Sequence, residues 1–200
     1  MSRVTVFRQM APAPGSNHRV PPWWMGYLFL LPLRKMWEHP RNVLKPWVNE
    51  GDTVFELGPA MGYFTLDLAR LVGPSGRVIC SEVQPKMLEA LKRRLDRSGL
   101  KESVDARLGR PDDPCINDLT DTLDFAFLHH VIHEVTDPAR VIGRVSAAMH
   151  PGGKVFLAEP NGHVSKAEFL EEVRLAQETG LRVTERPRIW RQMTVVLEKP

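Results

Sequence analysis

The sequence predicts an α/β fold, a doubly wound, seven-stranded, mostly parallel sheet with a C-terminal antiparallel hairpin strand. Three observations predict it. From residue 52 onward, short apolar runs alternate with amphipathic runs of helical period. Pro85, Gly99, Asp137-Pro138 and Gly180 punctuate the amphipathic runs as starts and stops. The last two apolar runs, 181–185 and 192–197, have no helix between them, so they pair as a hairpin and at least one strand is antiparallel.

Each element follows in order. Thr53–Leu57 is a short apolar strand, and residues 62–72 form an amphipathic helix ended by Gly73-Pro74. Arg77–Glu82 is the second strand. Pro85 then starts a helix with Met87, Leu88, Leu91 and Leu95 on one face and Gly99 as its stop. Residues 103–108 and 123–128 supply the third and fourth strands. Asp137 and Pro138 open the next helix as N-cap and first turn, with Val141, Ile142, Val145 and Met149 facing inward. The turn His150-Pro151-Gly152-Gly153 leads into strand 154–159. Ser165 and Glu168 form a capping box ahead of Phe169, Leu170, Val173 and Ala176, and Gly180 ends that helix.

Ahead of this pattern the chain reads differently. Residues 1–48 form an N-terminal arm and helical lid, and residues 49–200 the α/β domain. Residues 1–22 are proline-rich and extended. Residues 23–48 place Trp23, Trp24, Tyr27, Leu28, Leu31, Met36, Trp37 and Trp47 at roughly helical spacing, with breaks at Pro32 and Pro40. The apolar stretch 23–33 is about half the length that spans a bilayer, so it suits peripheral membrane or lipid-like substrate contact and not a span.

Composition narrows the function classes. The 200 residues suit one domain, and 42% hydrophobic with 26% charged residues is globular. A net charge of +3 is too weak to imply nucleic acid, because basic and acidic residues alternate. Lys92-Arg93-Arg94 reads as a solvated helix face. The two cysteines, Cys80 and Cys115, form no CxxC pair, which argues against zinc or redox motifs and suits a reducing, cytoplasmic setting.

The strongest local signal is Val54-Phe55-Glu56-Leu57-Gly58-Pro59-Ala60-Met61-Gly62. A strand ends in a carboxylate, a tight glycine-bearing turn follows, and a helix begins at once. Ligands of open α/β sheets bind at the carboxyl ends of the strands, where this turn lies. Glu82 ends the second strand about 20 residues on, where a carboxylate can accept hydrogen bonds from a ribose diol.

The run from Glu56 to Gly62 resembles the first motif of class I S-adenosylmethionine-dependent methyltransferases, whose seven-stranded sheet ends in a hairpin. Asp124 in the fourth strand, the segment from Leu128 to His133 after it, and Met149-His150-Pro151-Gly152-Gly153 before the fifth strand match the family at the same places. The resemblance covers about residues 50–198 and implies S-adenosylmethionine as cofactor. By position, Glu56, Gly58, Pro59, Ala60 and Gly62 would cradle its methionine part. Glu82 would bind the ribose, Val83 and Gln84 would lie near the adenine, and Gly109, Arg110 and Leu128 would complete the site. The sequence departs from the family twice. Ala60 stands for the middle glycine, and Arg110 stands where an aspartate often meets the adenine amino group, with Asp112 as a substitute.

Transfer to oxygen or carbon needs a base, and the resemblance places His129, His133 and His163 on the acceptor side as catalytic candidates, with His130, Glu159 and Asn161 nearby. For any one histidine a structural role is the commoner outcome, and His133 could simply hydrogen-bond its own loop with Glu134 and Asp137. No metal site is expected on His129, His130, His133 and Glu134, since the spacing lacks a helix-face pattern and adjacent histidines seldom chelate one ion. The expected acceptor is a small molecule, apolar or lipid-like, such as a quinone precursor, and the expected assembly is a monomer or homodimer. Two other classes compete: a non-catalytic S-adenosylmethionine-binding protein of the same fold, and a nicotinamide-dependent oxidoreductase, which the missing third glycine and the terminal hairpin disfavour.

Overall fold

The computed structural model describes Pro22, Trp23 and residues 38–200. The expected extended arm and most of the aromatic lid lie outside the described residues. Trp23 is exposed, with the Lys86 ammonium 4.8 Å from the centre of its ring.

The strands are β1 (Thr53–Leu57), β2 (Arg77–Glu82), β3 (Val104–Leu108), β4 (Leu123–His129), β5 (Met149–Pro160), β6 (Arg182–Glu185) and β7 (Gln192–Glu198). The helices are α1 (Pro40–Leu44), α2 (Thr65–Val72), α3 (Pro85–Ser98), α4 (Pro138–Ala148) and α5 (Lys166–Glu178). They build one seven-stranded sheet in the order β3-β2-β1-β4-β5-β7-β6. β7 slots between β5 and β6 and runs antiparallel to both, while the other neighbours pair in parallel. The order reverses at β1, whose two neighbours are β2 and β4, and this switch point opens a crevice at the strands' carboxyl ends.

Two-residue alternation along the strands assigns each face its helices. Phe55, Leu57, Ala126, Leu128, Val155 and Leu157 form one core with Val141, Ile142 and Val145 of α4 and Phe169 and Val173 of α5. Val54, Val78, Phe125, Phe127, Phe156 and Val196 form the other with Leu44 of α1, Leu66 and Leu68 of α2, and Leu88, Leu91 and Leu95 of α3. α1 starts at Pro40 and does not break there, because proline at the first helical position has no N–H to lose.

Four local expectations are corrected. α2 begins at Thr65, three residues after Gly62, because Gly62 sits at φ 81° and cannot be helical. β5 begins at Met149, so the His150-to-Gly153 turn lies within the strand, beside a register irregularity between Leu123 and Phe125. Leu170 is 47% exposed, since α5 buries the adjacent Phe169 and the next residue turns about 100° away. Arg94 is not merely solvated: its guanidinium donates to the carbonyl of Met61 and ties α3 to the turn after β1.

Candidate functional site

The turn after β1 is held by backbone and carboxylate together. Gly58 N–H donates to Ser81 O at 2.9 Å, and Gly62 N–H donates to Pro59 O at 2.8 Å. Gly58 has φ 67°, and a Cβ there would stand 2.7 Å from Cγ2 of Val131. A Cβ on Gly62 would stand 2.4 Å from Cδ1 of Leu91. The first glycine therefore admits the loop after β4, and the second admits α3. Ala60 adopts φ 50°, the left-handed region in which glycine would be unstrained.

Glu82 joins two loops. Its Oε2 accepts from Ala60 N–H at 3.0 Å and its Oε1 from Gln84 N–H at 2.8 Å. Burial raises its pKa, and the backbone bonds from Gln84, Ala60 and Val83 oppose the rise. Glu56 is also buried and accepts from the Thr65 hydroxyl at 2.6 Å. Burial, opposed by the Thr65 bond and assisted by the charge of Glu82, pushes its pKa up to about 8.

These groups border a cavity of about 510 Å³ at the carboxyl ends of β1, β2, β4 and β5, within the size range of small-molecule sites. Glu56, Gly58, Pro59, Ala60, Glu82, Val83, Gln84 and Arg110 line it, as do His129, His133 and His163. Three expected contacts do not. Gly62 serves packing, because its face is filled by Leu91 and Leu66. Gly109 donates its N–H to Glu82 O at 3.0 Å and faces the Ser81 hydroxyl. Leu128 points into the opposite core, as its place between Phe127 and His129 requires. Asp112 is not among the lining residues either, since its carboxylate bonds Arg140 at 2.9 Å.

The histidines divide into two groups. His133 Nδ1 lies 2.6 Å from Oε2 of Glu159. Glu159 is fully buried in β5, and its Oε1 also accepts the N–H of Ile132 at 2.9 Å. His133 is thus held chiefly by a neighbouring strand, with Glu134 of its own loop 3.9 Å from its Nε2. Burial alone would lower the His133 pKa, but the Glu159 bond and the charges of Glu159, Glu134 and Glu168 raise it overall. Its ring meets that of His163 edge-on, with centroids 4.9 Å apart. Glu134, also on the wall, has a pKa near 7, raised chiefly by burial, lowered by His133 and raised by Glu159 and Glu82. His129 belongs to an aromatic wall, stacked on Phe127 with centroids 5.1 Å apart and planes 10° apart, and tilted 4.7 Å from Phe64.

Sequence reasoning missed several wall residues. Phe127 was legible from strand alternation, because it shares a face with His129. Tyr63 and Phe64 directly follow the first motif, and Met61 and Met87 pack together under Ala60. Glu38 is not on the wall, but it lies 3.0 Å from Nε2 of His129, and nothing local in the sequence signals that contact.

Comparison with known proteins agrees with this geometry. A family described as "Methyltransferase domain" matches residues 48–195. The ubiquinone/menaquinone biosynthesis C-methyltransferase UbiE of Francisella philomiragia is 23% identical over 135 residues, 68% of this chain and 53% of that protein. The chain thus spans about half the length of the curated relatives it matches. Among solved structures, a SAM-dependent methyltransferase from Aquifex aeolicus superposes with TM-score 0.79 at 20% identity, covering 90% of this chain and all of that one. Aeropyrum pernix fibrillarin, solved with bound S-adenosyl-L-methionine, superposes with TM-score 0.59 at 19% identity over 76% of this chain and 68% of its own.

Proposed function

The chain belongs to the class I S-adenosylmethionine-dependent methyltransferase family, and from that premise we propose that it transfers a methyl group to a small, apolar acceptor. The carrying observation is the placement of the Glu82 carboxylate and the turn 58–62 on one cavity at the sheet's switch point. The residues present fit the cofactor. Each Glu82 oxygen accepts a backbone N–H and retains acceptor capacity for a ribose hydroxyl. Val83, Met87, Pro111 and Pro114 offer apolar surface for an adenine. The backbone of Gly58, Pro59 and Ala60 borders the space for the methionine part, with Glu56 beneath it. S-adenosylmethionine supplies, when bound, a methyl group made electrophilic by its sulfonium.

The protein's own work is orientation and proton transfer. Tyr63, Phe64 and Phe127 form an aromatic wall for a ring-shaped acceptor. Glu159 accepts the Nδ1–H of His133, and Nε2, which lies 3.9 Å from Oε1 of Glu134, is the nitrogen assigned as the base that takes the acceptor's proton. His129 and His163 line the same end and bound the acceptor. The relatives' C-methyltransferase activity in ubiquinone/menaquinone biosynthesis supports an acceptor carbon on a quinone-type precursor. Two free cysteines, one buried, support a cytoplasmic setting. No helix among the described residues is long and apolar enough to cross a membrane.

The test is transfer of a labelled methyl group to a panel of quinone-type rings, phenols, amines and thiols. Label on a ring compound is expected. Tight cofactor binding with no label on any acceptor would favour the non-catalytic reading.

A further inference from the structure

Where His129 and His130 line the cavity, Glu38 stands behind them, outside the cavity's lining. Glu38, His129 and His130 each bring one potential donor atom to within 4.8 Å of the others. Glu38 is 7% exposed and His129 9%. Glu38 precedes α1, and His129 ends β4. Adjacent residues of an extended strand point to opposite faces, so two neighbouring histidines would ordinarily diverge. His130 instead adopts φ 56°, a left-handed conformation that costs about 1–3 kcal/mol and collects at functional sites. The two imidazoles end nearly parallel, with centroids 3.8 Å apart and planes at 23°.

The contact between His129 and Glu38 has the spacing of shared coordination. Nε2 of His129 is sealed from solvent and makes no hydrogen bond. Oε1 of Glu38 lies 3.0 Å from it, a hydrogen-bonding distance without hydrogen-bonding alignment. Two ligand atoms about 2.0–2.1 Å from one divalent ion stand about 2.9 Å apart at an octahedral 90° and about 3.4 Å apart at the tetrahedral angle usual for zinc, so the observed spacing lies between the two. The carboxylate is itself oriented by Gln192, whose Nε2 donates to Oε1, while the Tyr63 hydroxyl holds the Glu38 main chain by donating to its backbone carbonyl at 2.7 Å. Outer partners of this kind fix ligating carboxylates.

We propose that Glu38, His129 and His130 form a binding site for a divalent transition-metal ion at the acceptor end of the cavity. Two imidazoles and a carboxylate suit zinc, cobalt(II) or iron(II). His129 and His130 both line the cavity, so open coordination positions would face the space where an acceptor oxygen would sit. Spacing argues against a metal on the four residues from 129 to 134, but the fold supplies Glu38 as third donor and ties His133 to Glu159 instead. Metal binding here does not rest on the methyl-transfer reading.

The experiment titrates the full chain, stripped with a chelator, with Co²⁺ by visible absorption and with Zn²⁺ by calorimetry. One equivalent of each is expected to bind. His129→Asn and Glu38→Gln should weaken it by more than the roughly 10–100-fold typical of losing an outer-shell partner. His150→Asn, beside Asp124 at the far end of β4, should leave it unchanged. Circular dichroism and thermal midpoints of the metal-free variants report their folding. X-ray absorption of the zinc-loaded wild type should show two imidazoles and a carboxylate oxygen. Failure of the wild type to bind either ion, or binding that withstands both ligand substitutions, overturns the proposal. So does a zinc shell containing thiolate or a single imidazole.

Discussion

Replacing Glu56 by glutamine should remove a pH dependence that the fold itself creates. Glu56 is buried, and its pKa rises from 4.5 to about 8, mainly through burial and despite the Thr65 hydrogen bond. The folded chain therefore holds a proton across this interval that the unfolded chain releases. Stability from this group is fully present below pH 4.5 and is lost as pH climbs through about 8. The interval spans about 3.5 pH units, and at about 1.4 kcal/mol per unit the loss has an upper limit of about 5 kcal/mol. Glutamine cannot ionise, yet it keeps a carbonyl to accept from the Thr65 hydroxyl. Urea unfolding of both proteins at pH 5, 7 and 9 measures the effect. Glu134 and Glu172 also have raised pKa values, but they titrate in both proteins and largely cancel in the difference. The two curves should nearly coincide at pH 5, and the variant should be more stable by several kcal/mol, up to about 5, at pH 9. A stability difference that does not change with pH would refute the reasoning.

Other substitutions probe other parts of the account. Gly62→Ala places a side chain at φ 81° and 2.4 Å from buried Leu91, so urea unfolding should show a loss of about 2–4 kcal/mol; a loss below about 0.5 kcal/mol would contradict the packing role. His133→Asn should lower kcat about 10²- to 10⁴-fold as a lost general base. Wild-type activity should rise with pH through an inflection above 6.5, because His133 must be neutral to accept a proton and its pKa is raised overall. Glu159→Gln removes the raising carboxylate, so the inflection should move down; an unmoved inflection would exclude the pair. Ser165→Ala deletes half of a capping box whose two bonds measure 3.2 and 2.8 Å, which should cost about 1 kcal/mol by thermal unfolding.

The domain's strands and most helix starts were legible because each is fixed locally. Pro85, Asp137, Ser165 and Gly99 act within one turn of themselves, and the observed helices start or stop at these residues. Glu82 and the turn after β1 were legible because the strand ends that carry them are adjacent in a parallel sheet. What escaped depends on distance in the chain. Whether Gly62 serves a ligand or a helix depends on Leu91, and whether Asp112 reaches the cavity depends on Arg140. The partner of His133 is a carboxylate on the next strand, and the neighbour of His129 is a glutamate ahead of α1. Neither pairing leaves a periodic or spacing signal.

The central claim is that Glu82 receives the ribose of an adenosyl ligand. Calorimetric titration of S-adenosylhomocysteine into the wild type and Glu82→Gln tests it most directly. The account predicts saturable binding to the wild type and a loss of about 1–3 kcal/mol in the variant, roughly 5- to 150-fold in affinity. Equal affinity in the two proteins, or binding of NAD in place of the homocysteine ligand, would contradict it.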